Sequence, residues 1–268
     1  LYKNWLSFGA ITGLVVIVLF LGNLKYHNKD RVELQIALNK QMGAPLKIVS
    51  LSDLHLGYGI GKEEFAKWIE LINQENADIV LMSGDVIDNS LRPLRQQGMA
   101  EMFKQIKSKY GIYAVPGNHE YFANIMQSEA FFEQADVQLL RDKAVLIDNR
   151  FYVIGRDDRT YYGREQELGN LTESLDKSKP LIVLDHQPYE LDEVERKKID
   201  LQLSGHTHDG QIWPISWITS AMYEKSHGYL KKGSSHIYVS SGMGIWGGKF
   251  RVGTRSEYVV IHLSGRAQ

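Results

Sequence analysis

Five short blocks of this sequence carry side chains able to hold a cation or move a proton: Ser52-Asp53-Leu54-His55, Ser83-Gly84-Asp85, Gly117-Asn118-His119-Glu120, Asp185-His186-Gln187-Pro188 and Ser204-Gly205-His206-Thr207-His208. Each follows a short apolar run. Asp53 and His55 stand at i and i+2, so an extended backbone would point a carboxylate and an imidazole to the same side. The chain has no cysteine, which excludes thiolate-bound zinc, a disulfide framework and a thiol nucleophile, and leaves His, Asp, Glu and Asn as metal ligands. Such a nitrogen and oxygen set suits Mn, Fe or Zn without choosing among them. A lone aspartate at a strand end is usually a turn or helix cap, and a lone buried histidine a satisfied core residue. Five blocks in one chain are harder to dismiss in that way. His27, His227, His236 and His262 have no such setting and keep the structural reading.

The elements that must position these blocks are legible from hydrophobic patterning. Short apolar runs at 46–51, 79–82, 112–115, 151–154, 181–184, 201–203, 237–239 and 258–263 are bounded by Gly, Asp, Asn or Pro and read as buried strands. Val32 to Leu38 alternates apolar and polar residues, as a strand with one exposed face does. Phe65, Trp68, Ile69 and Ile72 within 62–73, and Met99, Met102, Phe103 and Ile106 within 98–109, recur at helical steps. Strands alternating with one-sided helices predict a layered α/β domain. In open α/β sheets functional residues collect beyond the carboxyl ends of strands, where distant blocks can meet. The stretch 211–230 has no clear period and reads as a long functional loop. Its Trp213 and Trp217, with Trp246 further on, fit core packing, an apolar collar for a lipid or nucleobase, or membrane-surface contact.

Ahead of the domain, Trp5 to Leu24 contains no charged residue, and about 20 apolar residues at 1.5 Å each match a hydrocarbon core of about 30 Å. A transmembrane helix is the expectation; a core helix and an uncleaved signal sequence are the competing readings, and no A-x-A cleavage pattern follows. Residues 1–30 are thus expected to form a membrane helix with its juxtamembrane segment, and 31–268 the catalytic domain. Lys25, Lys29 and Arg31 against Lys3 favour a cytosolic domain. A chain beginning at Leu1 rather than Met suggests part of something longer. Over the 268 residues, 31 Lys and Arg offset 32 Asp and Glu, so no basic field draws the protein to nucleic acid.

Asp53-x-His55, Gly84-Asp85, Gly117-Asn118-His119-Glu120, His186 and Gly205-His206-x-His208, in this order, resemble the calcineurin-like metallophosphoesterase superfamily over roughly residues 46–263. Ser52 to Gly57, Gly205 to Gln211 and Ser241 to Gly244 with Arg251 are similar to its membrane-associated bacterial branch. Asp209 departs from that branch's usual second Gly, and Ser256 from its frequent Pro. The resemblance implies a four-layer αββα sandwich of two mixed β-sheets flanked by helices. It implies two divalent metal ions, one held by Asp53, His55 and His208, the other by Asn118, His186 and His206, with Asp85 bridging and a shared hydroxide attacking phosphorus in line. His119 would serve the leaving oxygen, and Asp88, three residues after Asp85, would orient it. Lys249 and Arg251, in a Gly-rich tail, could hold a phosphate oxygen.

The function expected on these grounds is metal-dependent hydrolysis of phosphoesters, with diester or pyrophosphate bonds of a membrane-proximal lipid or nucleotide-lipid as substrate, anchored in a membrane such as the bacterial inner membrane. Soluble nucleotides or nucleic-acid ends form a second enzymatic reading. A catalytically silent, protein-binding scaffold of the same fold is a third, disfavoured because all seven ligand positions and His119 are present.

Overall fold

A computed structural model describes residues 2–160 and 164–266, and in it the apolar runs pair into two six-stranded mixed sheets. The strands are β1 (Lys29–Gln41), β2 (Leu46–Leu51), β3 (Ile79–Ser83), β4 (Ile112–Val115), β5 (Val137–Leu139), β6 (Lys143–Ile147), β7 (Phe151–Gly155), β8 (Leu181–Leu184), β9 (Leu201–Ser204), β10 (Gly228–Lys232), β11 (Ser235–Val239) and β12 (Ser256–Arg266). The helices are α1 (Tyr2–His27), α2 (Lys62–Gln74), α3 (Arg92–Gln96), α4 (Met99–Phe103), α5 (Asn118–Phe122), α6 (Ile125–Gln134), α7 (Leu168–Glu173), α8 (Leu191–Arg196) and α9 (Ile215–Met222). One sheet runs β1-β12-β2-β3-β4-β5 and the other β10-β11-β9-β8-β7-β6. Strands β2 to β5 are mutually parallel, as are β7, β8, β9 and β11, and antiparallel partners flank each set.

Three apolar clusters define the layers. Ile48, Leu81, Val115, Val153, Ile182, Leu203 and Ile261 fill the space between the sheets. Phe65, Trp68, Phe103, Phe131 and Phe132 pack helices onto Val49, Val80 and Met82 of the first sheet, while Leu168, Leu191 and Val194 cover Ile154 and Val183 of the second. Central strands covered on both faces must be apolar at every position, which is why β3, β4 and β8 read as unbroken runs. The expected αββα sandwich is the fold observed.

Two elements differ from expectation. The helix expected over 98–109 stops at Phe103, because Asn73 of α2 donates to the Gln105 carbonyl (2.9 Å) and accepts from the Lys107 N–H (2.7 Å). A side chain has taken the backbone groups that a longer helix would use, while Phe103 and Ile106 stay buried and keep the period. Within 211–230 the chain forms α9 and the start of β10 rather than a loop; α9 buries none of its residues, so no apolar stripe betrayed it.

Helix α1 is long and apolar enough to cross a membrane, and nearly all of that apolar stretch is exposed. Its last turns enter the domain. Tyr26 is fully buried, its hydroxyl donates to Glu64 (2.5 Å), and the Lys29 ammonium lies 3.6 Å from the Tyr26 ring centre. Asn23 donates to the Lys249 carbonyl, and the Arg251 N–H donates to the Gly22 carbonyl.

Two positions on α6 test the layering. Phe132→Ala empties a fully buried ring site and should cost about 3–5 kcal/mol, whereas Met126→Ala, at a position 75% exposed, should stay within about 0.5 kcal/mol. Denaturant midpoints of the two variants against the parent chain measure the difference.

Candidate metal centre

The carboxyl ends of β2, β3 and β4 in one sheet and of β8 and β9 in the other open onto the same end of the sandwich, and all five sequence blocks lie there. Their convergence has a different local cause from the one expected. Asp53 and His55 are not extended: both have positive φ (52° and 46°), as do Asp85 (51°), His206 (71°) and His208 (50°). Non-glycine residues in this region cost of order 1–3 kcal/mol each and persist only where the surroundings over-determine them. Here the backbone is pinned across strand ends, with Asp53 N–H donating to the Gly84 carbonyl and His55 N–H to the Asp85 carbonyl, both at 3.0 Å. Between the sheets, His186 Nδ1–H donates to the Ser83 carbonyl (2.7 Å) and His206 N–H to the Asp53 carboxylate (3.0 Å).

Asp53, His55 and His208 form one cluster and Asp85, His186 and His206 another. His55 Nε2 lies 3.0 Å from His208 Nε2, and His208 Nε2 lies 3.4 Å from Asp53 Oδ1. His186 Nε2 is 3.2 Å from Asp85 Oδ2, and His206 Nδ1 is 3.0 Å from Asn118 Oδ1, which brings the seventh residue into the second cluster. Asp85 Oδ2 is also 3.8 Å from His55 Nε2, so its carboxylate stands between the two groups. Donors held about 2.0–2.2 Å from one cation sit about 2.9–3.5 Å apart, and most of these separations fall in that interval.

The chemistry of the donors fits a cation as well. Because the Ser83 carbonyl can only accept, Nδ1 of His186 is the protonated nitrogen, and in the neutral ring Nε2 carries a lone pair. Without a cation, and against its burial, Asp85 holds the His186 pKa well above the ordinary histidine value, so a proton fills the 3.2 Å gap between Nε2 and Asp85 Oδ2 that a cation would take. Burial and the charge of His186 lower the pKa of His206 to about 4, while burial and His55 hold His208 well below the ordinary histidine value, so both rings present lone pairs. Burial pushes the Asp53 carboxyl up, with Asp85 adding to it; Asp85 is held far below the usual carboxylate range against its burial by the charge of His186. The ion-pair partners of both carboxylates are imidazoles.

Two glycines make the approach possible. A Cβ on Gly117 would collide with Asp85 Oδ1, and one on Gly205 with Asp53 Oδ2. Glu120, to which the motif alone assigns no role, is fully buried and accepts from Gly117 N–H (2.7 Å), Ile87 N–H (2.8 Å) and Asp85 N–H (3.0 Å). It ties the loops after β3 and β4 together. Burial, and then the charge of Asp85, raise its pKa to about 7. The signal for it lay in the acidic residue closing Gly-Asn-His-Glu.

His119 Nδ1 lies 3.2 Å from Asp88 Oδ1, with the ring against Phe122 at 5.0 Å. The same Asp88 oxygen is 3.4 Å from His55 Nδ1, so one carboxylate serves two rings. Lys249 and Arg251 lie elsewhere than a phosphate contact requires. Lys249 Nζ pairs with Glu64 (2.6 Å) at the foot of α1. Arg251 is 1% exposed, and its guanidinium donates to the carbonyls of His208 (2.7 Å), Ser241 (2.6 Å) and Gly244 (2.9 Å) and to Ser256 Oγ (3.2 Å), which commits four of its five N–H groups inside the protein. Ser256 is therefore a buried acceptor for Arg251. The four histidines given a structural reading have structural partners: Glu257 for His227, Tyr229 for His236, Glu33 for His262 and the Tyr26 ring for His27.

A profile described as calcineurin-like phosphoesterase matches residues 46–210. An uncharacterized metallophosphoesterase of Helicobacter pylori is 34% identical over 243 residues, covering 88% of this chain and 64% of its own length. One from Aquifex aeolicus is 30% identical, covering 84% of this chain and 87% of its own. A transmembrane protein with metallophosphoesterase domain from Danio rerio is 30% identical, covering 81% and 53%. The chain thus spans just under two thirds of the length of the Helicobacter relative.

Cation binding should be visible without any substrate. Thermal unfolding of chelator-stripped chain should move upward on adding Mn²⁺, by about 2.7 kcal/mol at a hundredfold excess over Kd, and Asn118→Ala should shrink that increment. Glu120→Gln should lower stability by about 1–3 kcal/mol, since its amide N–H₂ would face backbone donors that now have an acceptor.

Proposed function

The chain belongs to the calcineurin-like phosphoesterase family, and from that premise we propose that it is a membrane-anchored hydrolase of phosphoesters that works with two divalent cations. The reading goes further to a substrate: a diester or pyrophosphate bond of a lipid or nucleotide-lipid at the bilayer surface. The observation that carries the chemistry is the meeting of two donor clusters with Asp85 between them. We assign Asp53, His55 and His208 to one cation and Asn118, His186 and His206 to the other, with Asp85 shared. When bound, the cations supply Lewis-acid charge to phosphoryl oxygens and lower the pKa of water, the two things a phosphoester bond needs to be cleaved near neutrality.

The rest of the chemistry falls to the chain's own groups. Asp88 fixes Nδ1 of His119 through its backbone carbonyl (3.3 Å) and its carboxylate (3.2 Å), which orients the ring so that its other nitrogen can give a proton to the leaving oxygen. Glu120 keeps Asp85 and the Asn118-His119 turn in register through three backbone donors. His186, fixed through Ser83, and His206, fixed through Asp53, hold the two sheets' contributions at one point.

The membrane part rests on α1. Its apolar length suits a bilayer, and its last turns pack into the domain, so a bilayer crossed by α1 comes close to the domain surface. The Danio rerio relative named as a transmembrane protein supports the same placement. A lipid-linked phosphoester could then reach the centre without leaving the membrane surface.

The test is metal-dependent hydrolysis by the full chain in mixed micelles, across aryl mono- and diesters, phospholipids, nucleotide-lipids and cyclic nucleotides. Turnover of diesters and lipid-linked substrates, falling about 10²–10⁴-fold in His119→Ala and also lost in Asn118→Ala, is the expected result. Asp88→Asn should lower kcat with little effect on KM; undiminished kcat would remove its orienting role. Preference for cyclic nucleotides over every lipid-linked ester would overturn the substrate assignment and leave the hydrolase standing.

A further inference from the structure

Helix α9 departs from the other short helices of the domain. Among the described residues α2 to α8 each bury at least two side chains, whereas α9 buries none. From Gln211 to Tyr223 there is no charged residue, in a chain that is 24% charged. What this segment presents outward is large and apolar: Trp213 is 53% exposed, Trp217 67%, Ile218 58% and Met222 62%, with Trp246 beside them at 57%. The Trp213 and Trp217 rings pack edge to face at 5.5 Å, and the Gln211 side-chain amide donates to the Trp246 carbonyl and accepts from the Trp246 N–H, both at 2.9 Å. A continuous apolar surface of this kind is a docking surface.

Its position identifies what docks. Trp213 N–H donates to the Val252 carbonyl (2.7 Å), and Val252 bridges to Ile212. Phe250 and Val252 lie against Gly22 of α1, where an added Cβ would be 3.1 Å from Phe250 and 3.2 Å from Val252. Gly22 is also the point at which α1 passes from exposure into the domain, since residues 4–21 are all exposed and Gly22 is buried. That exposed stretch is about 27 Å long at 1.5 Å per residue, close to a hydrocarbon core of about 30 Å. Gly22 therefore marks the surface of any bilayer that α1 crosses, and the segment leading into α9 is fastened at that level.

We propose that α9, through Trp217, Ile218 and Met222, with Trp213 and Trp246 at its border, inserts into the interfacial layer of the same bilayer that α1 spans. Tryptophan and bulky aliphatic side chains on a short uncharged helix are favoured at that depth. The contact has a consequence for the centre. The segment begins just after His208, and Tyr223 at its far end hydrogen-bonds Tyr189 (3.2 Å) and packs near the His206 ring. Insertion of α9 would hold this side of the centre against the headgroups. The inference rests on the membrane-anchored reading of α1, and its test separates the two.

The chain has no native cysteine, so single cysteines can be placed at Ile218, Leu14 and Met126 of the full chain and given nitroxide labels. Reconstituted in phosphatidylcholine and phosphatidylglycerol vesicles, each label is exposed to oxygen, which partitions into lipid, and to a water-soluble nickel chelate. The Ile218→Cys label should show an oxygen-to-nickel collision ratio severalfold above that of the Met126→Cys label and on the side of the Leu14→Cys label, with Ser220→Cys giving the trend along the helix. If Leu14 reports lipid and Ile218 reports water, α9 does not insert and the proposal falls while the anchor stands. If Leu14 itself reports water, the anchor reading fails first. Protection of Ile218 from both reagents would mean that a second copy or another protein covers α9, which also overturns the proposal.

Discussion

Asp53 and Asp85 are the constraint around which the structure is organised. They are 0% and 2% exposed, two carboxylates carried into the seam between two sheets. Removing an ionised carboxylate from water costs several kcal/mol even after relaxation, unless charge and hydrogen bonds are supplied in return. The fold supplies backbone donors to each, from His206 to Asp53 and from His119 to Asp85, and makes imidazoles their ion-pair partners. An imidazole can be protonated, or it can turn a lone pair to a cation, and a pair of carboxylates ringed by such groups is suited to exchange protons for metal. The positive φ angles, the close-approach glycines and the fully buried Glu120 are all means of bringing this arrangement together against its own cost.

The same loops reach outward to the helix at the N-terminus. Arg251 is the link. Its guanidinium gathers the carbonyls of His208, Ser241 and Gly244 under the centre, while its backbone N–H caps Gly22 of α1. Burial lowers its pKa only to about 10, so it stays charged at neutral pH and lies behind the Asp53 cluster. Tyr26 and Glu64 continue the contact toward α2, and Lys249 joins it from the other side. Helix α1 is in this sense part of the domain's packing at one end and exposed along residues 4–21.

Much of this was legible in the sequence, and the physical reason is the same wherever it was. Central strands covered on both faces are apolar throughout, so β2, β3, β4, β8 and β9 could be located nearly to the residue, and the side chains just past their ends could be named. What stayed hidden depended on tertiary context. Nothing local told that Asp53 and His55 converge through left-handed turns rather than an extended strand. The early end of the helix at Phe103 is decided by Asn73, far away in sequence. Lys249 and Arg251 had the right chemistry for an anion, but the Glu64 carboxylate takes Lys249, and burial with carbonyl partners assigns Arg251 to the frame. Glu120 sat in plain view within the motif, and only its three backbone donors reveal what it does.

The central claim is that seven side chains form one centre for two cations, with Asp85 between them. Anomalous diffraction from crystals of the full chain soaked in Mn²⁺, recorded on either side of the manganese edge, tests it most directly. Two peaks are expected, one beside Asp53, His55 and His208 and one beside Asn118, His186 and His206. A centre without anomalous density at saturating Mn²⁺, or peaks bound only at surface carboxylates, would contradict it.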